Sequence, residues 1–123
     1  MPSARTEMYE IEVLPSARRD MVAVVSYISH ELSNPAAAYR LANEMYAAMD
    51  SLAAFPYTNV VFPTIRPLKH DYRRLKVGNY LIFYHVDEDK KLVTVSRVIY
   101  ARRDYEKMMS NSDGKGKGRR DFD

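Results

Sequence analysis

The sequence predicts an α+β domain, with a helical hairpin covering one face of a mostly antiparallel four-stranded sheet. The chain order is β-α-α-β-β-β, followed by a short C-terminal helix. Three observations carry that prediction. Apolar and polar residues alternate from Met8 to Leu14, which is the period of a half-buried strand. Two successive stretches then repeat apolar residues at steps of three and four, as one face of a helix requires. Beyond Asp71 the chain turns to β-branched and aromatic runs divided by short polar turns. With 123 residues there is material for one hydrophobic core and not for two.

Pro15 and Ser16 end the first strand, and Ser16 is placed to cap the helix that follows. Ala17, Met21, Val24, Val25, Ile28 and Leu32 form the apolar stripe of that helix, which Ser33 ends. Asn34-Pro35 then supplies a cap followed by proline at the first position of a second helix. Ala38, Leu41, Ala42, Met45, Met49, Leu52 and Phe55 continue the three-and-four spacing until Pro56. A tight turn between two amphipathic helices predicts an antiparallel hairpin. Residues 57–67 include Pro63 and Pro67 and show no period, so they read as a loop.

Tyr72 to Val77 reads as a strand closed by Gly78-Asn79, and Tyr80 to Val86 as its partner. Residues 87–90 form a polar hairpin connection, and Lys91 to Tyr100 the last strand. Arg102 to Met109 reads as a short closing helix. From Ser110 onward the composition cannot bury enough apolar surface to order itself, which predicts a flexible charged tail over residues 110–123 behind a domain of residues 1–109. Strand alternation places Leu75, Val77, Tyr80, Ile82 and Tyr84 against the helices, with Tyr100 also in the core. It places Arg74, Lys76, Leu81, Phe83 and His85 on the opposite face, which the helices leave open.

Charge is unevenly distributed. Residues 1–63 carry 4 Lys/Arg against 7 Asp/Glu, whereas residues 64–109 carry 11 against 6. A basic half of this kind attracts nucleic acid or an acidic partner peptide, or is simply a solvated surface. The absence of cysteine excludes disulfides and thiolate chemistry and suits a reducing cytoplasm. His30, His70 and His85 lack the paired spacing of a ligand set, so no metal site is expected. No apolar run approaches the roughly 20 residues of a membrane span, and the first residues have no export-signal layout.

Several strings resemble the RelE/ParE superfamily of toxins from type II toxin–antitoxin systems. They are the run from Tyr9 to Asp20, Asn34-Pro35 with Ala38, and the exit Leu52-Ala53-Ala54-Phe55-Pro56. The longest are Tyr72 to Tyr84 and Arg97 to Asp104. Their order and spacing cover roughly residues 8–109. The resemblance implies a cognate antitoxin whose disordered segment folds onto the toxin, with promoter DNA met only through that antitoxin. It also implies a role in plasmid stabilisation or growth arrest, and no metal or organic cofactor. One branch cleaves messenger RNA on the ribosome, which is the primary expectation here; the other poisons DNA gyrase.

Under the ribonuclease reading, Arg74 and Lys76 match a paired basic strand and Arg102 a further cation of the site. Metal-free cleavage needs a base for the attacking 2′-hydroxyl, cations for the phosphorane and an acid for the leaving oxygen. Arginine stabilises charge but shuttles protons poorly, so Lys76 is assigned the base and His85 an acid–base role. Arg73, Arg103 and Tyr105 are assigned to RNA or phosphate contacts, and Arg103 with Asp104 to capping the last helix as well. Leu81 and Phe83 are expected to form an exposed apolar patch for the antitoxin. Leu81 itself stands where the ribonuclease pattern has an arginine. The tyrosine expected near the C-terminus falls at Met108, with Tyr105 nearby. The same basic residues also suit a plain solvated or antitoxin-binding face.

Overall fold

The computed structural model describes residues 8–63 and 68–112. The alternation at the N-terminus becomes β1 (Glu10–Val13), which runs parallel to the last strand, Ile11 beside Val93 and Val13 beside Val95. Helix α1 (Pro15–Ser26) follows at once. Its cap residue is Leu14, with no side-chain cap bond, and Pro15 takes the first helical turn. Ser16 therefore lies inside the helix rather than at its cap. Proline needs no N–H partner there, and Ser16 Oγ donates instead to Ser96 O on the last strand at 2.7 Å.

Residues Tyr27–Glu31 form one π-helical turn that widens the end of α1. Ser33 adopts φ +51, and Asn34 caps α2 (Pro35–Ser51) by accepting from Ala37 N at 3.1 Å. The apolar stripe packs inward through Ala17, Met21, Met45, Met49 and Leu52. It ends earlier than its spacing suggested. Regular helix stops at Ser51, turns run to Ala54, and Phe55 is 66% exposed.

Strands β2 (Arg73–Val77), β3 (Tyr80–Asp87) and β4 (Leu92–Tyr100) make the antiparallel meander, and the sheet order is β1-β4-β3-β2. Gly78 sits at φ +57 in the β2–β3 turn, where a residue with a side chain would be strained. A register shift opposite Phe83 and Tyr84 leaves Ser96 as a bulge in β4. The first turns of α1 are stitched to this bulge. Leu14 N donates to Val95 O at 2.9 Å, and the Asp20 carboxylate accepts from Val98 N at 2.9 Å and from Arg97 Nε at 2.6 Å.

The helices pack on Leu75, Val77, Tyr80, Ile82, Tyr84, Val93, Val95 and Val98. Tyr84 is fully buried, and its hydroxyl donates to Pro56 O at 2.8 Å. Tyr100 departs from expectation: it is 38% exposed and lies at the rim, its ring 5.5 Å from Tyr80. The opposite sheet face is covered too. Phe62, Tyr72, Leu81, Phe83, Ile99 and Met109 form a second core there. Its lid comes from the segment after Pro56 and from α3 (Tyr105–Ser112). Residues 113–123, most of the expected flexible tail, lie outside the described residues, and Ser110 and Asn111 belong to α3.

Candidate functional site

Alternation along β2 and β3 sets Arg74 opposite Phe83 and Lys76 opposite Leu81, all on the face away from the helical hairpin. The chain after Pro56 runs back along the edge of β2, with Phe62 N donating to Tyr72 O at 2.6 Å and Val61 bridging to Arg73. This brings the Phe62 ring over the sheet. Tyr105, at the start of α3, closes over it from the other side, and Phe62, Phe83 and Tyr105 form a ring cluster with centroids 5.1 to 5.9 Å apart. Leu81 is therefore 8% exposed and Phe83 0%. The expected exposed patch is instead a buried one. Apolar side chains on a sheet face lower the free energy of any segment that covers them, and α3 supplies Met109 for that purpose.

The cover also engages Arg74. Its Nη1 donates to the Tyr105 hydroxyl at 3.3 Å, and its guanidinium lies 5.6 Å from the Phe62 ring and 5.8 Å from that of Tyr105. Lys76, one pleat along, is exposed. Ala101 N donates to Asn79 O at 2.8 Å, so exposed Arg102 and Arg103 follow at the same end of the sheet as Lys76. Asp104 Oδ1 accepts from Lys107 N at 3.2 Å, which caps α3. Arg73 points elsewhere. Its Nη1 donates to Asn59 O at 2.6 Å, and its guanidinium lies 5.0 Å from the Tyr57 ring, so it holds the loop after Pro56.

His85 shares the sheet face of Leu81 and Phe83 but lies toward the far end of β3. It stacks on His70, a partner that no local sequence signal indicated. The remaining large feature is a groove of about 770 Å³ between the helical hairpin and the sheet rim. Tyr27, Ile28, Leu32, Leu41, Tyr80 and Tyr100 give it a mostly apolar wall. Burial and the nearby Tyr100 push the Tyr80 hydroxyl above its ordinary range, so it stays a neutral donor. Among the described residues no group of three or more His, Asp or Glu could hold a metal, and no helix is long and apolar enough to cross a membrane.

A family model described as the ParE toxin of the type II toxin–antitoxin system parDE matches residues 11–105. The chain belongs to this ParE toxin family. Solved structures agree with the fold. A chain of the chromosomal ParDE toxin–antitoxin system from P. aeruginosa is 15% identical, with a TM-score of 0.63 over 78% of this chain and 99% of its own. A mutant of the E. coli toxin RelE in the free state is 13% identical, with a TM-score of 0.53 over 85% of this chain and 95% of its own. No curated protein matches. At these identities the structural likeness speaks for the fold of this ParE-family chain and not for its chemistry.

Proposed function

We propose that this ParE-family chain is the toxin of a toxin–antitoxin pair, silenced by a cognate antitoxin, and that it arrests growth by binding DNA gyrase rather than by cutting RNA. One observation carries the choice of target. The sheet face expected to grip a phosphodiester is roofed by Phe62, Tyr105 and Met109, with Leu81 where an arginine is required and Arg74 fastened to Tyr105. A transition state that builds charge on phosphorus needs preorganised cations around an open cleft. A toxin that works by binding a protein needs none.

The antitoxin segment in this reading lies in the apolar groove walled by Tyr27, Leu32, Tyr80 and Tyr100. Leu81 and Phe83 meet a partner only if α3 lifts off them. Promoter DNA is engaged through the antitoxin. A second reading keeps the messenger-RNA ribonuclease, favoured by exposed Lys76 and Arg102 at one end of the sheet. In it Lys76 is the base, Arg74, Arg102 and His85 complete the site, and Arg73, Arg103 and Tyr105 hold phosphate or base.

Induction of the toxin alone separates the two. Gyrase-dependent plasmid cleavage with a DNA-damage response, and no codon-phased cuts by primer extension on ribosome-engaged message, is the expected result. Phased cuts that vanish in Lys76→Ala and Arg102→Ala would overturn the gyrase reading.

A further inference from the structure

The two edges of the sheet meet solvent differently. β1, at one edge, carries exposed Glu10 and Glu12, and charged side chains of this kind keep an edge strand from pairing with another chain. Beyond β2 the other edge ends in residues 60–62. Phe62 N donates to Tyr72 O at 2.6 Å and Arg74 N to Val60 O at 3.4 Å, on either side of the bridge between Val61 and Arg73. In an antiparallel ladder that pattern turns the N–H and C=O of Val61 away from β2. Among the described residues neither group has a hydrogen-bond partner.

This second edge is apolar and uncharged. Val60 is 67% exposed, Phe55 66% and Val61 42%. Residues 51–63 include no charged side chain, in a chain of which 28% is charged. The two arginines of β2 beside it are turned back into their own chain. Arg73 Nη1 donates to Asn59 O at 2.6 Å, and Arg74 Nη1 to the Tyr105 hydroxyl at 3.3 Å. Two such edges can therefore meet with no like charges opposed. A charged partner strand finds no charge to pair with here, whereas a second copy brings an equally neutral edge.

We propose that this edge pairs with the same edge of a second copy of the chain, antiparallel about a two-fold axis at Val61, so that two sheets become one. In that register each Val61 N–H donates to the Val61 carbonyl of the other copy, which satisfies both groups that the single chain leaves open. Val60 falls opposite Phe62 of the other copy, and its exposed side chain extends the apolar cluster to which Phe62 belongs. Pro63 falls opposite Asn59 of the other copy. Proline brings no N–H to that position, and Asn59 O needs none because Arg73 already donates to it. The contact is short, so the dimer is weak and forms at high concentration. It does not depend on which target the toxin attacks.

Sedimentation velocity of the full chain from about 10 µM to about 1 mM covers the range of a weak interface. Wild type is expected to pass from monomer to dimer across it. Val61→Lys and Val61→Glu each set like charges face to face at the axis. Each is expected to raise the dissociation constant at least about ten-fold while leaving the circular dichroism spectrum unchanged. An equimolar mixture of the two sets lysine against glutamate and is expected to recover the dimer, which misfolded variants could not do. Val22→Lys, on α1 at a position 66% exposed, is the control and should dimerise as wild type does. Exchange of the Val61 amide, followed by NMR on wild type, is expected to slow as the dimer fills.

A wild type that stays monomeric over the whole range would overturn the proposal and leave the edge to a strand of another protein. A dimer that persists in both Val61 variants, or that is lost in Val22→Lys, would overturn it by placing the contact elsewhere. Folded Val61 variants whose mixture stays monomeric would overturn it as well. So, without any variant, would a wild-type dimer in which the Val61 amide exchanges as fast as in dilute solution.

Discussion

Replacing Asp20 by alanine tests whether α1 is held in place by the β4 bulge. The Asp20 carboxylate accepts from Arg97 Nε at 2.6 Å, from Arg97 Nη2 at 3.0 Å and from Val98 N at 2.9 Å. Both side chains of the ion pair are only 17% exposed. The substitution removes three charge-assisted hydrogen bonds at once and leaves the Arg97 guanidinium without its carboxylate and Val98 N–H without an acceptor. Breaking a fully buried pair costs about 3–5 kcal/mol, and the residual exposure here argues for the lower end, about 3 kcal/mol. For a domain of this size that lowers Tm by about 12 °C. Asp20→Asn retains an acceptor for Val98 N–H and loses the charge, so it should fall between wild type and alanine. Thermal unfolding followed by circular dichroism and urea titration measures both. A Tm loss below about 2 °C for Asp20→Ala would refute the idea that this pair clamps α1 to the bulge.

Other expectations follow from the same structure. The Glu88 carboxylate accepts from Tyr9 OH at 2.7 Å and Tyr57 OH at 2.6 Å and pairs with Lys91, which ties β1 and the loop after Pro56 to the β3–β4 hairpin. The Lys91 ammonium first, then the two phenols, hold the Glu88 carboxyl down at about 2. Its folded value lies below its unfolded one, so its contribution is complete above the ordinary carboxylate range and is lost as pH falls towards 2. Glu88→Gln should flatten the acid limb of a stability-versus-pH curve between about pH 4.5 and that value, and an unchanged limb counts against the lock. The same contact pushes the Tyr57 hydroxyl up to about 12, so in Glu88→Gln the Tyr57 phenol should ionise at lower pH in an ultraviolet titration. Gly78→Ala finds room for its methyl group, 3.7 Å from Leu41 Cδ1, yet should cost about 1 kcal/mol in urea titration because φ is +57 there. Met109→Ala, at a position fully buried against Leu81 and Phe83, should cost about 3 kcal/mol and speed amide exchange in α3 before it does so in the sheet.

Much of the fold was legible because it is written in local period. The alternation of residues 10–13 and of β2 and β3, the three-and-four spacing of the hairpin, Asn34-Pro35 and Gly78-Asn79 each have one backbone solution. Element ends were less legible. Ser16 has the chemistry of a cap, but the neighbouring Ser96 carbonyl took its hydroxyl. Phe55 kept the helical spacing after the helix itself had ended. Tyr100 has the composition of a core residue and lies 38% exposed at the rim of the groove between the helical hairpin and the sheet.

For the candidate sites the division is sharper. Sequence alone determined that Arg74, Lys76, Leu81, Phe83 and His85 share one face, because side chains in a strand alternate whatever surrounds them. It also determined membership of the RelE/ParE toxins, through strings spread along the whole domain. Only the tertiary structure decided whether that face is open. Phe62 and Met109 lie about twenty or more residues from Leu81 and Phe83 along the chain, and they close over the patch because burying apolar surface is favourable and non-directional. The same folding of distant segments set His70 on His85. Spacing between residues specifies which face a side chain takes; what meets it there is a property of the packed molecule.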